Sequence, residues 1–305
     1  MSTLRRSSRR VVAAGAVGMA LLGAAVVGTA APALSAAPHA ARGSSSAQVT
    51  PGSAYLALGD SVSFGYREGT NPPPPVYTDA ASFVGYPEDV ASALGLKVAN
   101  AACPGETSLS LVKPAVPSNG CENSPGGGPG YRTFYPLHVA YHGTQLAFAS
   151  TYLRTHPHTR LVTLMIGAND AFLCQETTAD HCASELPSVL TQISADVAVI
   201  LKTVRHADHY HGQIVILNYY SLDYSSATDT GASQALNAAM DGGAKPYHVQ
   251  IADGFGVFKS AAQQAGGSSC AAGLLTELTG GGCGVHPSVA GQALLALAVE
   301  QAIKR

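Results

Sequence analysis

The sequence predicts an α/β protein: a parallel sheet of about five strands with helices on both faces. Three observations lead there. Short apolar runs of 5 or 6 residues each stop at Gly, Asn or another small residue. Such continuous runs suit strands buried on both faces. Segments with helical periodicity lie between them, and strand–helix alternation is the pattern of a parallel sheet with crossover helices.

The strands come in order. Ala54–Leu58 precedes Gly59, Lys97–Ala102 precedes Cys103-Pro-Gly105, and Leu161–Ile166 precedes Gly167. Gln213–Leu217 runs into Asn218, and His248–Ala252 is a weaker fifth. Among the helices, Val189–Ala207 has the clearest stripe, with Leu190, Ile193, Val197, Ile200, Leu201 and Val204 on one face. Gln145–His156 and the more polar Thr230–Lys245 are two further helices. A last helix is expected over Val289–Lys304, with Ser288 as its N-cap. Pro114–Pro136 and Asn71–Pro75 are Pro- and Gly-rich and read as loops inside the alternation, either shaping a site or crossing the surface.

The chain has 305 residues, 46% of them hydrophobic, ample for a packed core. Its formal charge of −2 carries no basic excess, which argues against a nucleic-acid partner. The N-terminus differs in kind from the rest. Arg5, Arg6, Arg9 and Arg10 precede an uncharged stretch from Val11 to Ala31, then small residues around Ala33–Ala37. This is the layout of a signal peptide, and Ser8-Arg9-Arg10 also partly fits a twin-arginine signal. The stretch is long enough for an uncleaved anchor, but its many Ala and Gly drive insertion weakly. We therefore expect a signal peptide at 1–36, a flexible tail at 37–52 and one secreted domain at 53–305, without stable membrane insertion after cleavage. Without residues 1–36 the chain keeps 13 basic and 19 acidic side chains, a net charge of −6.

Six cysteines support export. They allow fifteen pairings, of which the local ones, Cys103–Cys121, Cys174–Cys182 and Cys270–Cys283, close the shortest loops. No C-x-x-C knuckle suggests zinc. His206, His209 and His211 are too loosely spaced for a metal site and suit a helix C-terminus instead. Neither a metal nor a cofactor is expected. Ser110-Leu-Val-Lys113 has the S-x-x-K spacing without its companion motifs, and no G-x-S-x-G elbow occurs.

Four short blocks sit just after strand ends or before the last helix: Gly59-Asp60-Ser61 with Gly65, Gly105, Gly167-Ala168-Asn169-Asp170, and His286-Pro287. Their order resembles the SGNH hydrolases, also called the GDSL esterase/lipase family, from about Tyr55 to the C-terminus. The resemblance implies a flavodoxin-like three-layer α/β/α sandwich and a carboxylic ester hydrolase acting through an acyl-enzyme. Ser61 would be the nucleophile and His286 its general base. The N–H groups of Ser61 and Gly105 and the amide of Asn169 would form the oxyanion hole. Substrates would be small-molecule or lipid esters. An acyltransferase on the same serine, or a secreted binding module that retains the fold, are the alternatives.

One position departs from the family pattern. The family usually carries Asp three residues before the catalytic His, and here that residue is Cys283. The expectation is a Ser–His dyad, with the backbone carbonyl of Cys283 or a near neighbour accepting the Nδ1 hydrogen of His286. A carboxylate from elsewhere, such as Asp253 or Glu277, is the rival.

Overall fold

The structure, a computed structural model, describes residues 48–68 and 74–304. The expected signal peptide and most of the expected tail lie outside the described residues. In chain order the elements are β1 (Ala54–Gly59), α1 (Ser61–Phe64), α2 (Tyr86–Leu94), β2 (Lys97–Asn100), α3 (Ser108–Val112), α4 (Tyr131–Phe134), α5 (Gln145–Thr155) and β3 (Thr159–Met165). There follow α6 (Ala168–Thr177), α7 (Leu186–Lys202), β4 (Gln213–Leu217), α8 (Ala227–Ala244), β5 (Gln250–Ala252), α9 (Gly254–Ala262), β6 (Leu275–Glu277), β7 (Cys283–Pro287) and α10 (Val289–Ala302).

The five-stranded sheet has the order β2-β1-β3-β4-β5, and every pair in it is parallel. Helices pack on both of its faces, giving the expected three-layer α/β/α sandwich. The burial explains why the apolar runs were visible in the sequence. Tyr55 to Leu58 of β1 and all of β4 are buried, so neither strand has a polar, solvent-facing side. Helix α7 begins earlier than its periodicity suggests, with Pro187 in its first turn. It then leaves α geometry at Thr203, where a π turn runs to Ala207. Ser288 caps α10 as expected, accepting from the Gly291 N–H at 3.2 Å.

Strand order changes direction between β1 and β3, because β2 lies on one side of β1 and the chain then crosses to the other. In open parallel sheets that switch point is where ligands bind, beyond the carboxyl ends of the strands. Ser61 follows β1 and Asn169 follows β3. A buried side chain secures the first of these turns. Gln292 of α10 accepts from the Tyr86 N–H at 2.9 Å and donates to the Val62 carbonyl at 3.0 Å, joining α10, α2 and α1. Outside the sheet, β6 and β7 form a two-stranded antiparallel hairpin that leads into α10. No helix among the described residues is long and apolar enough to cross a membrane.

Candidate active site

Asp60 follows β1 and caps α1. Its Oδ1 accepts from the Val62 N–H at 2.9 Å, and its Oδ2 accepts from the Tyr219 hydroxyl. Ser61 is therefore the first residue of a capped helix, a position whose N–H has no partner within the helix. Burial pushes the Asp60 carboxyl up to about 6, against the hydrogen bonds from Tyr219 and Val62. Asp60 thus fixes the turn that displays Ser61.

His286 comes from β7. Four contacts hold that strand: its pairing with β6, the Cys270–Cys283 disulfide, the Tyr220 hydroxyl donating to the Val285 carbonyl at 2.5 Å, and the Thr276 hydroxyl donating to the His286 carbonyl at 2.7 Å. The imidazole Nε2 lies 2.9 Å from Ser61 Oγ. Tyr66 meets the ring edge-on, with centroids 4.8 Å apart.

The partner of Nδ1 corrects the expectation from sequence. It is the carboxylate of Glu68, with Oε1 at 2.6 Å, and not the backbone carbonyl of Cys283. Two features of β7 make this possible. The Cys283 side chain is committed to its disulfide with Cys270. Its neighbour is Gly284, where a Cβ would lie 2.3 Å from Glu68 Oε1. Glu68 thus occupies space that any larger residue would take. Burial raises the Glu68 pKa, but the hydrogen bond and charge of His286 outweigh it, and the carboxyl sits below its ordinary value. Of the rival acids, Asp253 caps α9 by accepting from the Gly256 N–H at 2.8 Å, and Glu277 lies on β6 opposite Cys283.

Gly105 lies in the loop after β2 with φ +82°, and a Cβ there would fall 2.4 Å from the Asn119 carbonyl oxygen. Only glycine fits so close to a second backbone segment in that conformation. Asn119 donates its N–H to the Gly105 carbonyl at 2.8 Å, and the Cys103–Cys121 disulfide ties the two segments together. The Asn119 side chain also donates to Asn169 Oδ1 at 3.0 Å. With its oxygen so engaged, Asn169 keeps its NH2 group as a donor for other partners.

Ser61, Gly105, Asn119, Asn169 and His286 line one cavity of about 740 Å³. The GDSL-like Lipase/Acylhydrolase family model matches residues 57–294, a span that takes in all of them. The chain belongs to this family. Membership places it among esterase-type hydrolases. No curated protein matches the sequence. Among solved structures, a candidate GDSL-like lipase from Parabacteroides merdae ATCC 43184 is similar with 15% identity and a TM-score of 0.50, over 84% of this chain and 97% of that one. An acetylxylan esterase from Geobacillus stearothermophilus, Axe2, matches with 15% identity and a TM-score of 0.49, over 85% and 97%. At 15% identity the likeness to the Parabacteroides merdae protein is one of fold.

Beneath the site of this GDSL hydrolase lie buried carboxylates that the motifs do not explain. Asp170, next to Asn169, accepts from the Ser108 N–H at 2.8 Å and from its hydroxyl at 2.7 Å. It thereby fastens the start of α3, just after the Gly105 loop, to α6. Desolvation pushes Asp170 up to about 7. Glu106, also pushed up to about 7 by burial, accepts from Ser110 at 2.5 Å and from Gln145 at 2.9 Å. Gln145 in turn clasps both backbone groups of Gly59, at 2.9 and 2.8 Å. Ser110 is thus a structural donor inside α3.

All three local cysteine pairs are disulfides. Among the described residues, the compact group of metal-ligating types is Cys103, Glu106 and Cys121, and its two sulfurs are bonded to each other. Sequence reasoning missed Glu68, Asn119 and Gly284. The signal available for Glu68 was weak: it is an acid seven residues after the nucleophile, on a loop.

Proposed function

We propose that the chain is a secreted serine esterase working through Glu68, His286 and Ser61. One observation carries the reading: an unbroken hydrogen-bonded path from Glu68 Oε1 through both ring nitrogens of His286 to Ser61 Oγ, at 2.6 and 2.9 Å. A serine hydroxyl becomes a useful nucleophile when a positioned base removes its proton during attack.

Ser61 Oγ attacks the ester carbonyl carbon while Nε2 takes its proton. The carbonyl oxygen becomes an oxyanion, held by the N–H groups of Ser61 and Gly105 and by the Asn169 amide; loss of one such donor typically costs about 3–4 kcal/mol of barrier. The imidazolium then gives its proton to the departing alcohol oxygen, leaving an acyl-Ser61. Water repeats the sequence: Nε2 takes its proton, the hydroxyl attacks the acyl carbon, and Ser61 leaves with the proton returned. Glu68 holds the Nδ1 hydrogen, selects the tautomer that presents a lone pair to Ser61, and stabilises the cation formed in each half.

The proposed organisation is a signal peptide at 1–36, a tail at 37–52 and the catalytic domain at 53–305. Three disulfides support an oxidising destination. Mass analysis of protein recovered from the medium should find a chain beginning near Ala37; full-length chain held in the membrane fraction would contradict export. For the chemistry, a fluorophosphonate probe should form one adduct, on Ser61, and Ser61→Ala should abolish it. An unlabelled wild-type protein would overturn the esterase reading.

A further inference from the structure

The cavity extends well beyond the reacting atoms. From Ser61 one limb runs along α6, where Asn169, Phe172 and Gln175 follow one another at helical spacing on the same face. Leu186 and Leu190, one turn apart at the start of α7, form a second wall, and Ala232, Ala235 and Leu236 of α8 form a third. The Cys174–Cys182 disulfide ties α6 to the segment just before α7, which fixes the separation of two of these walls. Among the described residues no Lys or Arg lines the cavity, while Glu176 and Asp229 do, which disfavours a charged acyl group.

The chemistry orients an ester in this space. The leaving oxygen must lie beside His286 Nε2, where Tyr66 and Tyr131 also line the cavity. The acyl group then faces the apolar limb. From Asn169 to Gln175 is six residues, or about 9 Å of helix. An extended chain advances about 1.25 Å per C–C bond, so about eight carbons fill that length.

Resting on the esterase reading, we propose that the α6–α7–α8 limb is an acyl-chain site and that the substrates are esters of uncharged medium-chain acids, of about eight carbons. The alcohol departs past His286 and Tyr66. Each methylene moved from water into such a site can raise kcat/KM by up to about fourfold.

The test is kcat/KM for p-nitrophenyl esters from acetate to palmitate, together with fluorophosphonate labelling of each protein used. Wild type should rise from acetate to a maximum near octanoate. Ala235→Phe, which fills the limb, should lower the octanoate-to-acetate ratio by at least about tenfold. Phe172→Ala, which removes an apolar wall without adding bulk, should lower it in the same direction. A wild-type maximum at acetate, or a ratio unmoved in both variants, would overturn the acyl-chain site while Ser61 still labels and the esterase reading stands. Absence of both labelling and turnover would instead remove the esterase reading, and this inference with it.

Discussion

Glu68 Oε1 lies where the side chain of residue 284 would be: a Cβ on Gly284 would stand 2.3 Å from it. The atom displaced is the far end of a flexible side chain, so the backbone can tolerate Gly284→Ala while the Glu68–His286 hydrogen bond cannot. A misplacement of about 1 Å typically costs about 10²-fold in rate. Gly284→Ala should therefore lower kcat by about that factor with an unchanged circular dichroism spectrum and KM. Wild-type kcat in this variant would contradict the role given to Glu68.

Removing the charge is a sharper intervention. Glu68→Gln keeps the size of the side chain but cannot stabilise the imidazolium, and it can present an N–H to Nδ1 and favour the wrong tautomer. The analogous change in a serine protease triad costs about 10⁴ in kcat. Steady-state kinetics should show a fall of about 10³ or more, and Glu68→Asp should recover part of it. If a backbone carbonyl at Cys283 were the working partner, Glu68→Gln would fall by less than about tenfold.

Asn119 gives a prediction about orientation. It donates to Asn169 Oδ1 at 3.0 Å and so fixes which end of that amide faces the site. Asn169→Ala should lower kcat by about 10²–10³, as for loss of an oxyanion donor. Asn119→Ala should have a smaller effect, about tenfold and again mainly in kcat, because Asn169 remains but can rotate. Equal losses in both variants, or losses confined to KM, would count against this division of roles.

Buried acids set the dependence of stability on pH. Asp60 is raised to about 6, and Glu106 and Asp170 to about 7, in each case chiefly by burial. Between their unfolded values near 4 and these folded values, the native state keeps protons that the unfolded chain releases. Stability from these groups is full below about pH 4 and is lost as pH rises to about 7. Glu68, held below its ordinary value, acts oppositely: its contribution is present above its unfolded value and is lost as pH falls through its folded one. Burial also raises Glu88, Asp89, Asp196 and Asp241, while Asp180 and Asp223 join Glu68 among the lowered acids; the raised set is the larger and more buried, so the thermal midpoint should be higher at pH 5 than at pH 8. Glu106→Gln should flatten that slope, and a midpoint that climbs steadily towards pH 8 would contradict the assignment.

The Cys270–Cys283 disulfide should join stability to activity, since β7 carries His286. It closes a loop of 13 residues, a length for which a cross-link contributes about 3 kcal/mol. Replacing both cysteines by Ser should lower the thermal midpoint and reduce kcat. Removing the Cys174–Cys182 pair, which is remote from His286 in sequence, should lower the midpoint with a smaller effect on acetate turnover. Identical kinetic losses in the two variants would show that the Cys270–Cys283 link does not act through the base.

The parts of this fold that are legible in sequence are those with a local signature. Strands β1 and β4 are buried on both faces and so read as continuous apolar runs. Ser61, Gly105, Asn169 and His286 stand in short blocks tied to strand or helix ends, and each cysteine pair closes a short loop. The β6–β7 hairpin left no such trace, because its strands are short and its turn, Gly280 to Gly282, has three consecutive glycines at positive φ. Asn119 is hidden in the irregular Pro114–Pro136 stretch. Glu68 meets His286 across 218 positions, after a loop with no periodicity. Its role depends on what Gly284 lacks, which a reading of side chains passes over.

The most direct test of the account is the rate constant for fluorophosphonate adduct formation at Ser61, followed by intact-protein mass spectrometry in wild type and Glu68→Gln. Wild type should give a single adduct on Ser61, and the variant should label more slowly by about 10³, since attack by Oγ requires the imidazole that Glu68 orients. Labelling at another residue, or Ser61 labelling at the wild-type rate without the Glu68 carboxylate, would contradict it.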